Sequence, residues 1–452
     1  MDVMPLTTST PDPGPMRPGP SRRQPIHATA AVAVAALLSF GVVACKDDGS
    51  DAEQGAAAST SALAASSTPS APAHPAGPSD PALANEVRAF VEQTMEERHL
   101  RAVIVEVTKS GETVISEAFG ETMTGVPATV DMHFRNGAVA ISYVATVLLQ
   151  LVDEGTVSLD DTLSTWLPEF PHADQVTLGQ LARMTSGYAD YVQQPEMLDA
   201  LYADPFRTFT PEELLAYVAD LPLLYEPGTN WSYAHTNYVL LGLAIEEITG
   251  TRMDELIQRR VLDPLGLDNT TDPGNPSIPE PVMHAFTPER RSFLQIPAGV
   301  PFVEESTFWN PSWTITHGAI ETTDIADLTA SAIAIGEGSL LSPKSHQAMV
   351  STDLRGFGSP IEGCPTCFQQ SESYSYGIGL VTTGDWVMQN PMFAGQAAAM
   401  AYMAEEQVSI AVAVTFEPEA FDADGNTRNE ADQLFRELGA IVVPDHAPPI
   451  RR

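Results

Sequence analysis

The most constraining feature of this sequence is a long apolar stretch that begins directly behind a glycine. Residues 134–137 read Phe-Arg-Asn-Gly, and small or apolar residues then recur at intervals of three and four between Ala138 and Leu151. This spacing predicts a buried helix that starts just after Gly137. Because the first N–H groups of a helix are free and attract negative charge, the stretch marks either a packing core or a site at the helix N-terminus.

Four other stretches contain distinctive sequence motifs. They are E-P-G-T-N-W-S-Y-A-H-T-N-Y-V-L-L-G at 226–242, D-P-L-G-L-D-N-T at 263–270, L-A-R-M-T-S-G-Y at 181–188 and G-A-I-E-T-T-D-I-A-D-L at 318–328. Together with F-R-N-G-A-V-A-I at 134–141, they resemble the penicillin-recognising serine hydrolases, which include class C β-lactamases, D,D-carboxypeptidases and related esterases. The resemblance covers roughly residues 85–445 and implies a β-lactamase/transpeptidase-like fold.

The pattern of predicted elements indicates the same α+β class. An amphipathic helix at 81–100 is followed by a hairpin whose strands, 102–107 and 113–119, flank Lys109-Ser110-Gly111. Helices fill the middle of the chain, including one that Thr177 caps and that ends at Ser186-Gly187. Strands return at 374–381, 385–388, 398–404 and 407–416, before a last helix. We therefore expect an α/β sandwich with an antiparallel sheet built from both chain ends, flanked by helices, plus an inserted and mainly helical subdomain.

The catalytic motif of the resembled family is altered in this chain. The family pattern F-R-x-G-S-x-x-K places a serine nucleophile and a lysine one helical turn apart, and acyl transfer also needs a tyrosine that shuttles the proton. Here Ala138 occupies the serine position and Ile141 the lysine position. A buried ammonium without partners is costly, so the apolar Ile141 is consistent with a site relaxed after the serine was lost.

The other two family motifs are altered as well. In the Tyr-x-Asn motif the tyrosine is retained as Tyr233, while His235 replaces the asparagine. Tyr233 is the catalytic candidate, although retention for structural reasons is the alternative, and His235 is either a ligand-binding or a satisfied pocket histidine. The third motif, His/Lys-x-Gly, aligns with Gln389-Asn390-Pro391, where proline removes a strand donor. The resemblance thus predicts substrate-binding positions at Ala138, Tyr233, His235, Gln389 and Asn390.

No replacement for the missing nucleophile is evident in the sequence. Ser142 lies four residues after Ala138, one turn deeper, where a packing role is expected. The sequence contains no G-x-S-x-G elbow, no H-E-x-x-H motif and no phosphate-binding loop. We expect neither a cofactor nor a metal.

The three cysteines divide into two groups. Cys45 follows the apolar run 28–44 in the context Val-Val-Ala-Cys, behind Arg22-Arg23, as in a signal peptide with a bacterial lipobox. This predicts a signal peptide at 1–44, lipid attachment at Cys45 and export to the cell envelope, while an uncleaved membrane anchor is the alternative. Cys364 and Cys367 then form the other pair, most simply a short disulfide, with a redox motif or half a zinc site as alternatives.

Composition separates a linker from the folded part and excludes one class of partner. Residues 45–82 are rich in Ala, Ser, Pro and Thr and are expected to form a disordered linker, followed by the hydrolase-like domain at 83–445. The chain has 22 basic and 59 acidic residues and a net charge of −37. So acidic a surface repels phosphate backbones, which argues against nucleic-acid binding.

Three functions fit these observations. The first is a non-hydrolysing lipoprotein that binds a peptide, a cell-wall fragment or a protein partner in or near the old cleft, with the membrane reached only through the lipid. The second is an esterase or peptidase with a site rebuilt around Tyr233 and His235. The third is a structural surface protein whose cleft is filled by Met392 and Phe393. The sequence leaves the ligand, the oligomeric state and the export route open.

Overall fold

The computed structural model describes residues 79–297, 299–317 and 320–450. The predicted signal peptide at 1–44, the predicted lipid site Cys45 and residues 46–78 of the predicted linker lie outside the described residues. The first helix begins at Pro81, two residues before the predicted start of the domain, and Asp80 caps it by accepting from two backbone N–H groups.

The described residues form eleven helices and thirteen strands. The helices are α1 Pro81–Arg98, α2 Val139–Asp153, α3 Leu178–Ala182, α4 Pro195–Ala203, α5 Pro211–Ala216, α6 His235–Thr249, α7 Met253–Ile257, α8 Asp263–Leu265, α9 Ile325–Glu337, α10 Pro343–Met349 and α11 Glu430–Val442. The strands are β1 Leu100–Lys109, β2 Glu112–Met123, β3 Val126–Pro127, β4 Phe134–Arg135, β5 Phe286–Thr287, β6 Glu304–Glu305, β7 Thr322–Thr323, β8 Ser375–Tyr376, β9 Val381–Thr383, β10 Trp386–Gln389, β11 Met392–Phe393, β12 Gln396–Met403 and β13 Val408–Phe416. One π-helical turn, Gln258–Leu262, joins α7 to α8.

The main sheet confirms the predicted fold class. Its nine strands run in the order β3-β2-β1-β13-β12-β10-β9-β8, with β11 paired to β12. All the pairs are antiparallel, and β1 from the beginning of the domain pairs along its whole length with β13 from the end. The sheet is therefore built from both ends of the domain, and the helices α2 to α10 are inserted between its two parts.

Helices cover both faces of the sheet. Tyr402 and Met403 are consecutive on β12, so their side chains point to opposite faces. Tyr402 packs on Gly336 of α9, whereas Trp386, the cross-strand partner of Met403, packs edge to face on Phe435 of α11. This two-sided cover explains why β12 and β13 are buried at every position and read as continuous apolar runs.

Most predicted elements differ from the observed ones by a few residues at their ends, and two differ in a way that has a clear local cause. The predicted strand 374–381 is two short strands, β8 and β9, because the chain turns at Gly377, whose N–H donates to the carbonyl of Leu380. The helix capped by Thr177 ends at Ala182 rather than at Ser186-Gly187. Met184 adopts a left-handed backbone with φ of 60°, which is incompatible with continuing the helix.

Helix α2 begins where the sequence predicted and is buried along most of its length. Ala138 is its N-cap, and twelve of its fifteen residues are buried. Among the described residues, no helix combines the length and the apolar character that crossing a bilayer would require.

A buried carboxyl group lies directly behind the start of α2. Strand β4 pairs with β7, which brings Glu321 beside Asn136. The Asn136 side-chain amide donates to Glu321 Oε2 at 3.1 Å, while the Asn136 oxygen accepts from the Glu321 N–H at 3.2 Å. Glu321 is 1% exposed, and burial raises its pKa well above the usual range against the opposing effect of the Asn136 hydrogen bond.

Glu321→Gln tests whether this carboxyl group is buried in its neutral form. The substitution keeps an oxygen that accepts from Asn136 and removes the titrating proton. Because the pKa is higher in the folded than in the unfolded chain, native stability falls as the pH rises above the unfolded value of about 4.3. We expect the variant to be more stable than the native protein at pH 7 in urea unfolding, and equally stable near pH 4.

Glu92→Gln on the exposed side of α1 is the matched control, since it changes only a solvated side chain. An identical pH dependence of stability in the native protein and in Glu321→Gln would contradict the interpretation.

Candidate functional site

The N-terminus of α2 carries no nucleophile. Ala138 presents only a methyl group, and its backbone N–H donates no hydrogen bond to a described residue. Ile141, one turn later, is 1% exposed and lies in the core. The start of α2 therefore keeps a free hydrogen-bond donor for an oxyanion or carbonyl but has neither the hydroxyl nor the amine of the family motif.

Ser142 is held in a structural hydrogen bond. It is fully buried, and its hydroxyl donates to the carbonyl of Gly379 at 2.7 Å. The Gln389 side-chain amide donates to the same carbonyl, also at 2.7 Å. A serine occupied in this way does not replace the missing nucleophile at Ala138.

Tyr233 lies in an aromatic cluster beside the start of α6. Its ring packs edge to face on His235, with centroids 5.2 Å apart, and on Tyr376, with centroids 6.4 Å apart. Tyr233 is 8% exposed, and burial, followed by the influence of Tyr374 and Asp190, raises its pKa above the ordinary value. The hydroxyl is therefore neutral, and a proton-accepting role would need a cation that the Ile141 position does not provide.

His235 is paired with a buried carboxylate that sequence reasoning missed. Asp190 Oδ2 lies 3.1 Å from His235 Nδ1, and Asp190 Oδ1 accepts the N–H groups of His235 at 3.1 Å and Val192 at 3.2 Å. An ionised carboxylate only accepts, so Nδ1 carries the proton and Nε2 is left without a partner among the described residues. Asp190 precedes His235 by 45 residues, a separation that leaves no local pattern in the sequence.

Two stacked aromatic rings, those of Trp313 and Phe393, lie next to His235. Trp313 lies 5.9 Å from the His235 ring and stacks on Phe393, with centroids 5.9 Å apart and an interplanar angle of 14°. Phe393 is buried and Met392 half-buried. Of the two residues expected to fill the cleft, only Phe393 is buried, and it stacks on Trp313 beside His235. The sequence had not indicated a role for Trp313.

The segment aligned with the third motif, Gln389-Asn390-Pro391, lies next to the start of α2. Strand β10 ends at Gln389 and β11 begins at Met392, so the strand is interrupted at Asn390-Pro391, where proline cannot donate to the ladder. A Cβ added to Gly137 would clash with the Cβ of Pro391, which places the proline ring directly against the turn before Ala138.

Gln389 and Asn390 are both buried, at 2% and 7% exposure. The Gln389 amide is engaged with Gly379, as described above. Asn390 accepts from Asn429 through its backbone carbonyl, and its own side-chain nitrogen has no partner among the described residues. Of the five predicted substrate-binding positions, the structure gathers Tyr233 and His235 in one aromatic cluster, while Gln389 and Asn390 are turned into the protein.

The cysteine pair lies against the segment that carries Tyr233. Cys364 and Cys367 form a disulfide, and Cys367 pairs with Ser232 through an isolated antiparallel bridge. The hydroxyls of Ser232 and Thr366 are 2.8 Å apart. The short loop closed by the disulfide therefore supports the backbone immediately before Tyr233. The described residues contain no group of three or more His, Cys, Asp or Glu side chains arranged to hold a metal ion.

Comparison with solved structures supports the fold. The structure matches the D-amino acid amidase from Ochrobactrum anthropi SV3 complexed with D-phenylalanine with a TM-score of 0.66 and 21% identity, covering 80% of this chain and 99% of that chain. It also matches a D-stereospecific amidohydrolase from Streptomyces sp. with a TM-score of 0.61 and 24% identity, covering 74% and 94%. At these identities the likeness concerns the fold alone.

Sequence comparison identifies the family. The chain is 36% identical over 150 residues to penicillin-binding protein 4 of Amycolatopsis lactamdurans, which covers 32% of this chain and 37% of the relative, and 31% identical over 199 residues to esterase EstB of Burkholderia gladioli, which covers 41% and 50%. These matches span only about a third to a half of each relative's length. The sequence model of the Beta-lactamase family matches residues 87–435, most of the chain, so this protein belongs to the beta-lactamase family.

Proposed function

We propose that this protein is an exported lipoprotein of the beta-lactamase family that binds a peptide, a cell-wall fragment or a protein partner without hydrolysing it. The observation that carries the proposal is the methyl group of Ala138 at the N-cap of α2, with the apolar Ile141 buried one turn later. Removing the nucleophile of a serine hydrolase lowers turnover by about 10⁶-fold. Export and lipid attachment rest on the sequence context of Cys45.

The remaining polar groups support binding rather than acyl transfer. Tyr233 is neutral, Ser142 is occupied by Gly379, and the free N–H of Ala138 is a donor for a ligand carbonyl. His235 Nε2 and the faces of Trp313 and Tyr233 supply further polar and aromatic contacts. Such a combination suits a peptide-like ligand, in which amide groups alternate with apolar side chains.

Saturable binding without turnover tests this proposal. Soluble muropeptides prepared from bacterial cell wall are titrated into the protein by calorimetry, and the mixture is then analysed by mass spectrometry for cleavage products. We expect binding with an unchanged ligand, weakened about tenfold in His235→Ala, because a buried polar contact is typically worth 1–2 kcal/mol. His172→Asn, which changes a histidine outside this cluster at a backbone position that asparagine tolerates, is the control.

Absence of saturable binding to muropeptides and to peptides of similar length would contradict a ligand-binding role. Cleaved muropeptides would contradict the absence of hydrolysis.

The pairing of Asp190 with His235 favours a second candidate, a hydrolase that uses water directly. With Nδ1 bound to Asp190, His235 Nε2 is free to accept a proton from a water molecule as its oxygen attacks an ester carbonyl. The carbonyl oxygen would become an oxyanion facing the Ala138 N–H, and the proton would return from Nε2 to the leaving alkoxide. No covalent enzyme intermediate is formed in this sequence.

Variants of the pair distinguish this candidate from simple binding. If the protein hydrolyses a chromogenic ester, we expect kcat/KM to fall by about 10²–10⁴-fold in His235→Ala, the usual contribution of a general base, and to fall less in Asp190→Asn, which retains a partner for the ring. His172→Asn is again the control. Hydrolysis that is equal in the native protein, His235→Ala and Tyr233→Phe would exclude this site as its source.

A further inference from the structure

Exposed apolar side chains are concentrated in two neighbouring segments of the surface. Of the eight large hydrophobic side chains that are exposed in the described part of the chain, five lie in these segments. They are Phe206 at 58%, Phe293 at 38%, Leu294 at 37%, Val300 at 47% and Val303 at 39% exposure. Single exposed apolar residues are common, but a concentration of this kind marks an interaction surface. We call these five residues the apolar loop patch.

Local contacts hold the two segments together. The ring of Phe293 lies 6.2 Å from that of Tyr202 in the last turn of α4, and Phe206 follows the end of the same helix. Asn310, which follows the second segment in the chain, donates its N–H to the carbonyl of Pro205 at 2.8 Å. The segment that carries Phe293 therefore lies beside the end of the helix that Phe206 follows.

Arg291 shapes the loop that carries most of the patch. Its guanidinium donates to the carbonyl of Val300 at 2.9 Å and to that of Pro297 at 3.4 Å, and it lies 5.8 Å from the centre of the Phe302 ring. This arginine thus links the two sides of the loop, on which four of the five patch side chains are exposed.

The charge of this loop differs from that of the rest of the chain. Residues 290–303 contain two arginines and no aspartate or glutamate, in a chain that has 59 acidic residues. Arg290 is paired with Glu304 at 3.1 Å, whereas the contacts of Arg291 described above are to carbonyls and a ring. Glu289 precedes this segment directly, and Glu304 and Glu305 follow it, so the carboxylates lie at its two ends. Exposed apolar side chains next to arginine are typical of the boundary between lipid headgroups and acyl chains.

We propose that the apolar loop patch inserts into the outer surface of a lipid bilayer and gives the domain a second membrane contact besides the predicted lipid at Cys45. The proposal rests on the proposed export and lipid attachment, which would hold the domain beside a membrane.

One physical argument favours a bilayer over a protein partner. A stable protein interface involves about 20–30 residues on each side, many more than these five side chains on protruding turns provide. The overall charge of −37 does not prevent the approach, because charges are screened over about 8 Å at physiological salt and only the loops that touch the bilayer contribute strongly.

Vesicle flotation of the protein without its lipid tests the proposal. The chain from Lys46 to Arg452 contains every described residue and lacks the predicted lipid site. It is mixed with vesicles of phosphatidylethanolamine and phosphatidylglycerol in equal parts. We expect the native chain to float with the vesicles and Phe293→Ser/Leu294→Ser to bind about tenfold less, with binding that survives high salt because it is mainly apolar.

Val130→Ser/Ile450→Ser is the matched control, because it removes two exposed apolar side chains outside the patch, at 39% and 50% exposure. It should float like the native chain, and the thermal unfolding midpoints of both double variants should match the native value. A native chain that stays with the soluble fraction, or two double variants that float equally, would overturn the proposal. A native dimer in sedimentation that Phe293→Ser/Leu294→Ser dissociates would instead assign the patch to a second copy.

Because the chain used lacks Cys45, flotation is independent of lipid attachment and of events in the cleft. If muropeptides do not bind, the proposed function is contradicted, but the flotation result still decides whether the apolar loop patch binds a bilayer.

Discussion

The packing of α2 determines what this protein can do chemically. The helix is surrounded by the core, and the turn before it lies against Pro391. Ser142 in the helix is bound to the same carbonyl as Gln389. Groups at such a helix start are held rigidly, which is what a hydrolase needs for its nucleophile. Here the same position holds the methyl group of Ala138, which is not a nucleophile.

The substitutions around this helix are consistent with one another. With Ala138 at the family's serine position, a lysine one turn later would be a buried cation without its partner, and the apolar Ile141 removes that cost. Tyr233 no longer has a neighbouring cation to lower its pKa, and burial raises the pKa instead. His235 pairs with Asp190 and lies beside the rings of Trp313 and Tyr233.

Local signals in the sequence predicted most of the framework. The turn Lys109-Ser110-Gly111 specified the hairpin β1–β2, and the cap Thr177 specified the start of α3. The fold class and the start of α2 were confirmed as well. Errors arose where a glycine or a left-handed residue interrupted a regular pattern, as at Gly377 and Met184.

The contents of the cleft were harder to predict, because they depend on contacts between distant segments. Asp190 and His235 meet across 45 residues, and Trp313 and Phe393 stack although no shared motif links them. The same holds for Pro391 over Gly137, which arises from the way β10 and β11 fold back on α2. The family resemblance gave the positions of Gly137, His235 and Pro391, but it did not indicate Asp190 or Trp313. The mutual geometry of all these residues depends on the tertiary structure.

The central claim is that the protein keeps the architecture of the family and has no group that can attack a carbonyl at Ala138. Its most direct test is intact-protein mass spectrometry after prolonged incubation with a penicillin, beside a penicillin-binding enzyme of the family as the positive control. We expect the mass of this protein to remain unchanged while the control gains one opened penicillin. A stoichiometric mass increase, located on any residue of the cleft, would contradict the claim.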